Sequence, residues 1–416
     1  MEYKRLSDVA EIRLSSVDKK TKDNEKKVKL CNFTDVYYNF DIDKYDALSF
    51  MEATANNNEI SKFELKKDDV VITKDSETRD DIGIACHIKN DLDNVVLGYH
   101  CALIRPKNVD GGYLNVCLQS KMCRTYFSNQ ASGSGQRYTL TEKGIGNVKI
   151  PIVPMDYQKK IARLVSNIND KIKINSRIND NLHQLIIDTY SNWFYKFNYP
   201  NSIVRNEDNP IIINKAFENK LPKGWKIESI YKNSLFSFID VGINKFISKN
   251  YLATANVNGT KIEDGDNITY ENRESRANMQ PSLNSVWFAK MKNSIKHIFM
   301  PPNSGWMVNK YIYSTGFLGL QCSELTFPYV ASIIMQPYFE TTKDKLAHGA
   351  TQESVNNDDL NSIPIIVPTM DILDKYKSVV GPLFEKMNQI MLENQGLSTL
   401  RNELLPLLMN GQVSIA

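Results

Sequence analysis

The segment Ser132–Tyr138 carries side chains of the kinds that contact DNA. A Ser-Gly-Ser-Gly stretch leads into Gln136, Arg137 and Tyr138. In the major groove a glutamine pairs well with adenine and an arginine with guanine, whereas serine side chains and backbone N–H groups contact phosphates. The spacing therefore predicts a flexible loop that reads base edges, and an ordinary solvated loop is the alternative.

A second segment, His348–Gln352, offers a shorter version of this pattern, and the chain also holds two basic stretches. Residues 111–154 hold five Lys or Arg against one acid, and residues 273–310 hold six against one. Such clusters can face a polyanion, although solvated surface is again the alternative. The predicted DNA-contacting residues are Lys74, Arg79, Ser132, Ser134, Gln136, Arg137, Tyr138, Arg273, Arg276, Asn278, Gln280, Lys290, Lys292, His348, Thr351 and Gln352.

Motifs for chemistry beyond binding are missing from the sequence. A DNA amino-methyltransferase grips its target amine with an Asp/Asn-Pro-Pro-aromatic loop, but the Pro-Pro pair in Met300–Asn303 has other neighbours. The chain has neither a Walker loop nor a glycine-rich cofactor loop after a strand. Glu64-Leu65-Lys66 lacks the paired upstream Asp of a nuclease, and the five histidines lack metal-site spacing. The sequence predicts no catalytic residue, metal or cofactor in this chain.

The composition sets the class of protein. A chain of 416 residues, 42% of them hydrophobic, predicts two or more globular domains. The net charge of +3 does not by itself identify a partner. Six cysteines without C-x-x-C spacing favour reduced thiols, and the sequence suggests neither a signal peptide nor a membrane span. We expect a cytoplasmic protein with no membrane partner.

An internal repeat organises these features. The segment Ile150–Asp156 returns as Ile363–Asp371, with an offset of 215 residues between the aspartates. A heptad pattern of apolar and Asn residues runs from Ile161 to Leu182 and returns in the same frame from Tyr376 to Leu397. Both copies therefore predict long helices that present one seam.

The two seams predict a pair of helices. Polar Asn residues within the seams cost stability but fix register, which favours an antiparallel coiled coil between the two helices. Packing of each helix onto its own globular domain is the alternative. Gly381-Pro382 interrupts the second pattern, so we expect a kink there or the end of a short leading helix.

The segments upstream of each helix are mostly β by composition and match at the same offset. Asp69–Lys74 matches Asn284–Lys290, whereas the sequence between such matches differs widely. Short β-rich runs broken by Asn, Asp and Gly predict an α+β fold with bent sheets and an internal pseudo-two-fold repeat. The predicted organisation is a target recognition domain at 1–155, a spacer helix at 156–197, a linker at 198–220, a second recognition domain at 221–368, and a second spacer helix with tail at 369–416.

Several segments resemble the specificity (S, or HsdS) subunits of type I restriction–modification systems. The resemblance covers essentially the whole chain, and the order and duplication of the motifs make it specific. It is carried by the domain openings Tyr3–Ile12 and Leu221–Trp225, the loop Ser132–Leu140 before Ile-Pro-x-x-Pro, the helix entry Gln158–Ile161, and the helix ends Trp193-Phe194 and Leu404–Gly411.

The resemblance implies a non-catalytic, sequence-reading subunit. Each recognition domain would read one half of a split site in double-stranded DNA. The helices would set the gap and dock two methyltransferase (M) subunits, to which restriction/translocase (R) subunits attach. S-adenosylmethionine, ATP and Mg would belong to those partners.

Three departures and two rival functions stay open. Gln158 is replaced by Leu373 in the second copy, the glycine loop returns in altered form, and Gly381-Pro382 stands within the second helix. The rivals are a stand-alone DNA-binding phage-defence specificity protein that recruits another effector, and a coiled-coil scaffold that binds no DNA.

Overall fold

The computed structural model describes residues 2–133, 137–202 and 220–409. The chain divides into two compact units, one formed by Met1–Ile174 with Asn394–Ala416 and the other by Asn175–Glu393. Each unit buries apolar cores of its own.

The first unit is built from short strands and helices. Its strands are β1 (Glu2–Arg5), β2 (Ala10–Leu14), β3 (Lys26–Cys31), β4 (Asp41–Ile42), β5 (Met51–Ala55), β6 (Val70–Thr73), β7 (Asp75–Ser76), β8 (Ala85–Ile88), β9 (Val95–Leu97), β10 (Cys101–Pro106), β11 (Tyr138–Thr139) and β12 (Lys149–Ile152). Its helices are α1 (Leu6–Val9), α2 (Phe33–Tyr37), α3 (Asn57–Phe63), α4 (Gly111–Gln119), α5 (Lys121–Gln130), α6 (Glu142–Gly146) and the start of α7 (Met155–Tyr190), with a 3-10 turn at Asp46–Ser49.

A five-stranded sheet in the order β2-β10-β6-β8-β4 forms the centre of this unit. The Val-Val-Ile-Thr run of β6 is buried throughout, as expected for β-branched residues in a strand covered on both faces. Because side chains alternate along a strand, Val70 and Ile72 enter one core and Val71 enters another. The sheet thereby separates two layers of packing.

The second unit has a comparable set of elements. Its strands are β13 (Lys226–Ser229), β14 (Phe236–Phe238), β15 (Lys249–Leu252), β16 (Val257–Asn258), β17 (Lys261–Ile262), β18 (Asn267–Ile268), β19 (Ala277–Met279), β20 (Ser285–Ala289), β21 (His297–Met300), β22 (Tyr311–Ser314), β23 (Phe317–Cys322) and β24 (Pro364–Val367). Its helices are the end of α7 with a π-helical turn at Ser191–Tyr195, α8 (Gly305–Lys310), α9 (Phe327–Ile334), α10 (Pro337–Leu346) and most of α11 (Met370–Met409), with 3-10 turns at Thr254–Asn256 and Asp359–Ser362.

A four-stranded antiparallel sheet in the order β14-β23-β20-β21 lies in this unit. Its strands follow the same order along the chain as β2, β10, β6 and β8 of the first unit. In both units the opening strand pairs antiparallel with the strand that precedes a long helix, as Glu2 with Ile152 and Lys226 with Val367. The predicted α+β class is confirmed.

The two long helices present the predicted apolar positions to the cores. In the first unit Ile161 and Val165 of α7 are buried, and the Arg401 Nη1 of α11 donates to the Asn169 Oδ1 over 2.7 Å. The helix α11 is continuous from Met370 to Met409, so the expectation that Pro382 would end a short leading helix is wrong.

In the second unit the same two helices contact each other through other residues. Asn175 Nδ2 donates to Glu393 Oε2 over 2.8 Å, and the Trp193 and Tyr376 rings pack with centroids 5.4 Å apart. Among the described residues, no helix is both long enough and apolar enough to cross a membrane.

Candidate nucleic-acid interface

The predicted loop of the first unit is closed at its base by the backbone. Ser132 N–H donates to the Thr139 carbonyl over 3.1 Å, and Thr139 N–H donates back to Ser132 over 2.9 Å. Ser132 and Arg137 are exposed, and Tyr138 is half-buried. Two of the predicted contact residues, Ser134 and Gln136, lie outside the described residues.

The loop of the second unit is closed in the same way. His348 N–H donates to the Ser354 carbonyl over 3.2 Å, and Ser354 N–H donates back over 3.0 Å. The predicted contact residues His348, Thr351 and Gln352 are exposed. Each unit thus has exposed residues at a neck of paired backbone.

Both loops require glycine at the same place. Gly133 and Gly349, each one residue after the first neck residue, have φ angles of +149° and +137°. A Cβ on Gly349 would lie 2.6 Å from the Gln352 carbonyl oxygen, and a Cβ on Gly133 would collide with the Arg137 carbonyl oxygen. These glycines let the chain turn back on itself.

Each loop attaches to the end of a central sheet strand through matching hydrogen bonds. Leu140 N–H donates to the Lys74 carbonyl over 2.8 Å, and Val355 N–H donates to the Lys290 carbonyl over 3.0 Å. Lys74 N–H in turn donates to His100, and Lys290 N–H to Gly316. The sheets therefore hold the two loops in equivalent positions.

Five side chains meet beneath the first loop, and we call them the Asp75 cluster: Lys74, Asp75, His100, Arg137 and Thr139. Asp75 Oδ2 contacts Lys74 Nζ at 2.9 Å, His100 Nδ1 at 3.0 Å and Arg137 Nη2 at 3.1 Å. Thr139 Oγ1 donates to the other carboxylate oxygen over 2.7 Å. Burial alone would raise the pKa of Asp75, but the hydrogen bonds from Lys74, Thr139 and His100 lower this pKa to about 2. Asp75 is therefore an ionised anchor for the cations around it.

The predicted basic residues of the first unit differ in how they are exposed. Lys74 is buried, and its ammonium also lies 4.3 Å from the Tyr99 ring centroid. Arg79 is exposed, with its guanidinium 4.9 Å from the Tyr138 ring centroid. Lys74 therefore contacts neighbouring side chains inside the unit, whereas Arg79 and Arg137 are accessible to an external ligand.

A cavity of about 530 Å³ opens beside the Asp75 cluster. Asp75, His100 and Arg137 line one part of it, and the rings of Phe33 and Tyr37 line another. Burial, followed by the hydrogen bond to Asp81, raises the pKa of Tyr37 to about 12, so its hydroxyl stays protonated. The cavity offers both stacking surfaces and polar groups next to the loop.

The basic residues near the second loop form a different set. Lys292 Nζ contacts the Glu353 carboxylate at 2.7 Å, and burial lowers the pKa of Lys290. Arg276 is exposed and lies next to Gly316, the acceptor for Lys290. These residues surround the neck of the loop.

The remaining predicted residues of the second unit lie on and around β19. The guanidinium of Arg273 stacks over Tyr270 at 4.0 Å from the ring centroid. The Asn278 carbonyl accepts from Gly242 N–H over 2.9 Å, and Gln280 Oε1 accepts from Asn244 N–H over 3.2 Å. Asn278 and Gln280 therefore help to hold a loop.

Sequence reasoning did not select three charged or titratable residues of the sites: Asp75, His100 and Glu353. Asp75 directly follows the predicted Lys74, and His100 lies in the segment Tyr99–Ile104, which matches Ser314–Gly319 of the second half. Their partners are distant in sequence, so spacing alone does not identify them. Among the described residues, no group of three or more His, Cys, Asp or Glu side chains could hold a metal ion.

Comparison with known proteins finds similarity over the first part of the chain. Residues 1–184 match the family described as type I restriction modification DNA specificity domain. The resemblance to type I specificity subunits is thereby confirmed, and the Ser132–Thr139 loop lies within the matched residues.

Relatives extend the similarity beyond residues 1–184. The specificity subunit of the type I restriction enzyme MjaIX from Methanocaldococcus jannaschii is 24% identical over 327 residues, covering 75% of this chain and 71% of that protein. The specificity subunit of the type I restriction enzyme HindI from Haemophilus influenzae is 22% identical over 411 residues, covering 85% and 88%. A crystal structure of a type I restriction–modification S subunit from M. genitalium matches with a TM-score of 0.55 and 13% identity over 98% of this chain and 95% of that one. The chain shares that fold.

Proposed function

We propose that this chain is the DNA specificity subunit of a type I restriction–modification complex. It reads a bipartite site in double-stranded DNA and directs methylation and restriction by partner subunits. The observation that carries the proposal is the pair of exposed glycine loops, which share one backbone framework but carry different side chains. One framework with two sets of side chains suits two half-sites of different sequence.

The residues around each loop have the chemistry for DNA contact. Arg79 and Arg137 in one unit and Arg276 and Lys292 in the other supply cations at the loop necks. Phosphate contacts from such residues position a protein, and arginine, lysine, asparagine or glutamine side chains read base edges. The remaining predicted contact residues stay part of this proposal.

The two long helices serve as the spacer. Asn169 contacts Arg401 within the first unit, and Asn175 contacts Glu393 within the second. Asn169 precedes Asn175 along α7, whereas its partner Arg401 follows Glu393 along α11. This opposite order supports an antiparallel coiled coil. In this proposal the coiled coil and the repeated units give the chain a pseudo-two-fold arrangement.

Catalysis belongs to the partners. We assign methyl transfer to two M subunits and cleavage and translocation to R subunits, with S-adenosylmethionine, ATP and Mg bound there. The sequence motifs for those chemistries are missing from this chain.

Binding of the purified full-length chain to duplex DNA at several salt concentrations tests the proposal. Six phosphate contacts would weaken binding by about 1,000-fold between about 50 and 200 mM salt. Co-purification with an M subunit is expected from cells that encode this chain. Absence of DNA binding at low salt, or affinity that does not change with salt, would refute the proposal.

A further inference from the structure

The two loop necks carry ion pairs of opposite polarity. In the first unit the cation Arg137 lies on the loop, and its partner Asp75 follows the sheet strand β6. In the second unit the anion Glu353 lies on the loop, and its partner Lys292 follows β20. The matching backbone bonds of the loops place both pairs beside a loop neck, with Asp75 one residue after Lys74 and Lys292 two residues after Lys290.

In both pairs the loop residue is the more exposed partner. The Arg137 side chain is 53% exposed against 6% for Asp75, and Glu353 is 47% exposed against 35% for Lys292. The strand-side partner is therefore the anchor, and the loop-side partner is available to an external ligand.

We propose that these loop residues determine specificity, with Arg137 reading a guanine in one half-site and Glu353 reading a cytosine amino group in the other. This inference rests on the proposed function, because it names the bases that the same loops would read. An arginine fork matches the O6 and N7 acceptors of guanine, and a carboxylate accepts from the N4 amino group of cytosine. Asp75 and Lys292 are positioning residues.

Contact with its anchor uses only part of the hydrogen-bonding groups of each loop residue. Arg137 meets Asp75 Oδ2 and His100 through Nη2, one of its three guanidinium nitrogens. The adjoining cavity of about 530 Å³ gives a base edge room to approach that group. The anchor therefore holds the guanidinium beside this cavity.

Charge balance explains why an anion can stand at a DNA-facing loop. A lone carboxylate near phosphates is repelled, but a cation within contact distance offsets that repulsion. Lys292 Nζ lies 2.7 Å from Glu353 Oε2, and Lys292 N–H also donates to the Glu353 carbonyl over 3.0 Å. Lys292 thus both neutralises Glu353 and holds it in place.

Selection of bound duplexes from a random-sequence pool by the full-length chain tests the inference. Arg137→Gln should shift one base pair of the first half-site from guanine toward adenine, since glutamine pairs with adenine, with a loss of guanine preference of about 5- to 150-fold. Glu353→Gln should remove a cytosine preference at one base pair of the other half-site by a similar factor. Each variant should leave the other half-site unchanged.

If Asp75 and Lys292 position the loop residues, their variants should affect the same base pairs as the loop variants, which general instability would not do. Asp75→Asn should weaken the guanine preference at the base pair changed by Arg137→Gln and leave all other base pairs unchanged. Lys292→Ala should weaken the cytosine preference at the base pair changed by Glu353→Gln, and Lys292→Arg should restore that preference. Thermal unfolding of each variant verifies that the selected protein is folded.

Two ion pairs elsewhere serve as matched controls. Arg5→Gln breaks the exposed Arg5–Asp8 pair of the first unit, and Lys310→Gln breaks the Lys310–Asp264 pair of the second. Both controls should keep every base preference. If wild type enriches no sequence, the proposed function fails and the inference with it. If wild type enriches a split site that Arg137→Gln and Glu353→Gln leave unchanged, the inference alone is overturned.

Discussion

At the scale of the residue, Asp75 shows how a buried charge can organise an exposed loop. Its carboxylate is 6% exposed and contacts Lys74, His100, Arg137 and Thr139. Removing one partner of such a network leaves the others without compensation. The loop geometry and the protonation of this carboxylate are therefore linked.

The pKa of Asp75 gives a prediction about stability. Because the folded chain lowers this pKa to about 2, ionised Asp75 stabilises the fold above the unfolded pKa of about 4, and the stabilisation is lost as the pH falls toward 2. Asp75→Asn should lower the free energy of unfolding by about 2 kcal/mol at pH 7. Denaturant unfolding should show that the difference in free energy of unfolding between variant and wild type becomes smaller below about pH 4. A difference that grows there would contradict a stabilising role for ionised Asp75.

The loop glycines give a second prediction about stability. Substitution by alanine should destabilise the fold in the loops and stabilise it within a helix. Gly133→Ala and Gly349→Ala place a Cβ against a carbonyl oxygen at positive φ, so each should cost about 1–3 kcal/mol. Gly396→Ala is the control, since it lies within α11 with open space around its Cβ, and it should stabilise by about 0.5–1 kcal/mol. Thermal unfolding of the three variants measures these changes. Equal effects at all three sites would show that loop strain is not the cause.

Residue types and spacing predicted the two glycine loops but not their anchors. The loops were predictable because Gly and Gln stand close together in both segments, with Arg137 added in the first. Asp75 lies 62 residues from Arg137, and Lys292 lies 61 from Glu353, so these partners meet only through the sheets. Burial of Lys74 likewise follows from its tertiary contacts with Asp75 and Tyr99.

At the scale of the element, Lys173 attaches α7 to the first unit. Its ammonium lies 3.5 Å from Asp41 and 3.2 Å from Asp43, and it also contacts Asp46. The side chain of Asp41 is only 5% exposed. Loss of this lysine would leave Asp43 and Asp46 without its charge, whereas Lys89 still lies 3.8 Å from Asp41.

Lys173→Ala should therefore destabilise the first unit by about 2–4 kcal/mol. Lys159→Ala is the control, because Lys159 is an exposed residue of the same helix, and it should change stability by less than about 0.5 kcal/mol. Urea unfolding followed by circular dichroism gives both values. Similar losses in the two variants would mean that the carboxylate cluster is not the attachment.

The spacer role of the helices makes a further prediction. Matching seven-residue insertions after Ile178 and Glu393 keep the heptad phase and add roughly 10 Å of helix. With DNA rising about 3.4 Å per base pair, the gap between half-sites should lengthen by about three base pairs while the half-sites stay the same. Methylated motifs in cells provide the readout. An active variant with the parental gap would show that these helices do not set the spacing.

Periodicity predicted both long helices, and of the two outcomes expected at Pro382, a kink or a helix end, the helix end does not occur. The buried positions Ile161, Val165, Tyr376 and Val380 follow the heptad frame read from the sequence. A proline interior to a helix removes one backbone hydrogen bond, yet α11 runs through it. Packing of the neighbouring Val380 and Phe384 in the core helps to maintain the helix on both sides.

At the scale of the whole molecule, the repeat was the most informative feature of the sequence. The matched segments Asp69–Lys74 and Asn284–Lys290 contain the central strands β6 and β20. The predicted domain boundaries stay a prediction, because each compact unit includes part of both long helices. Sequence order could not show that arrangement, since it depends on contacts between residues far apart in the chain.

Whether this chain reads DNA for a methyltransferase can be tested by mapping DNA methylation across the genome in cells with and without the chain. We expect a split motif that is methylated only when the chain is present, with all other methylation unchanged. The same methylation pattern in both cells, where the M subunit is produced, would contradict the assignment of this chain as the subunit that reads the DNA.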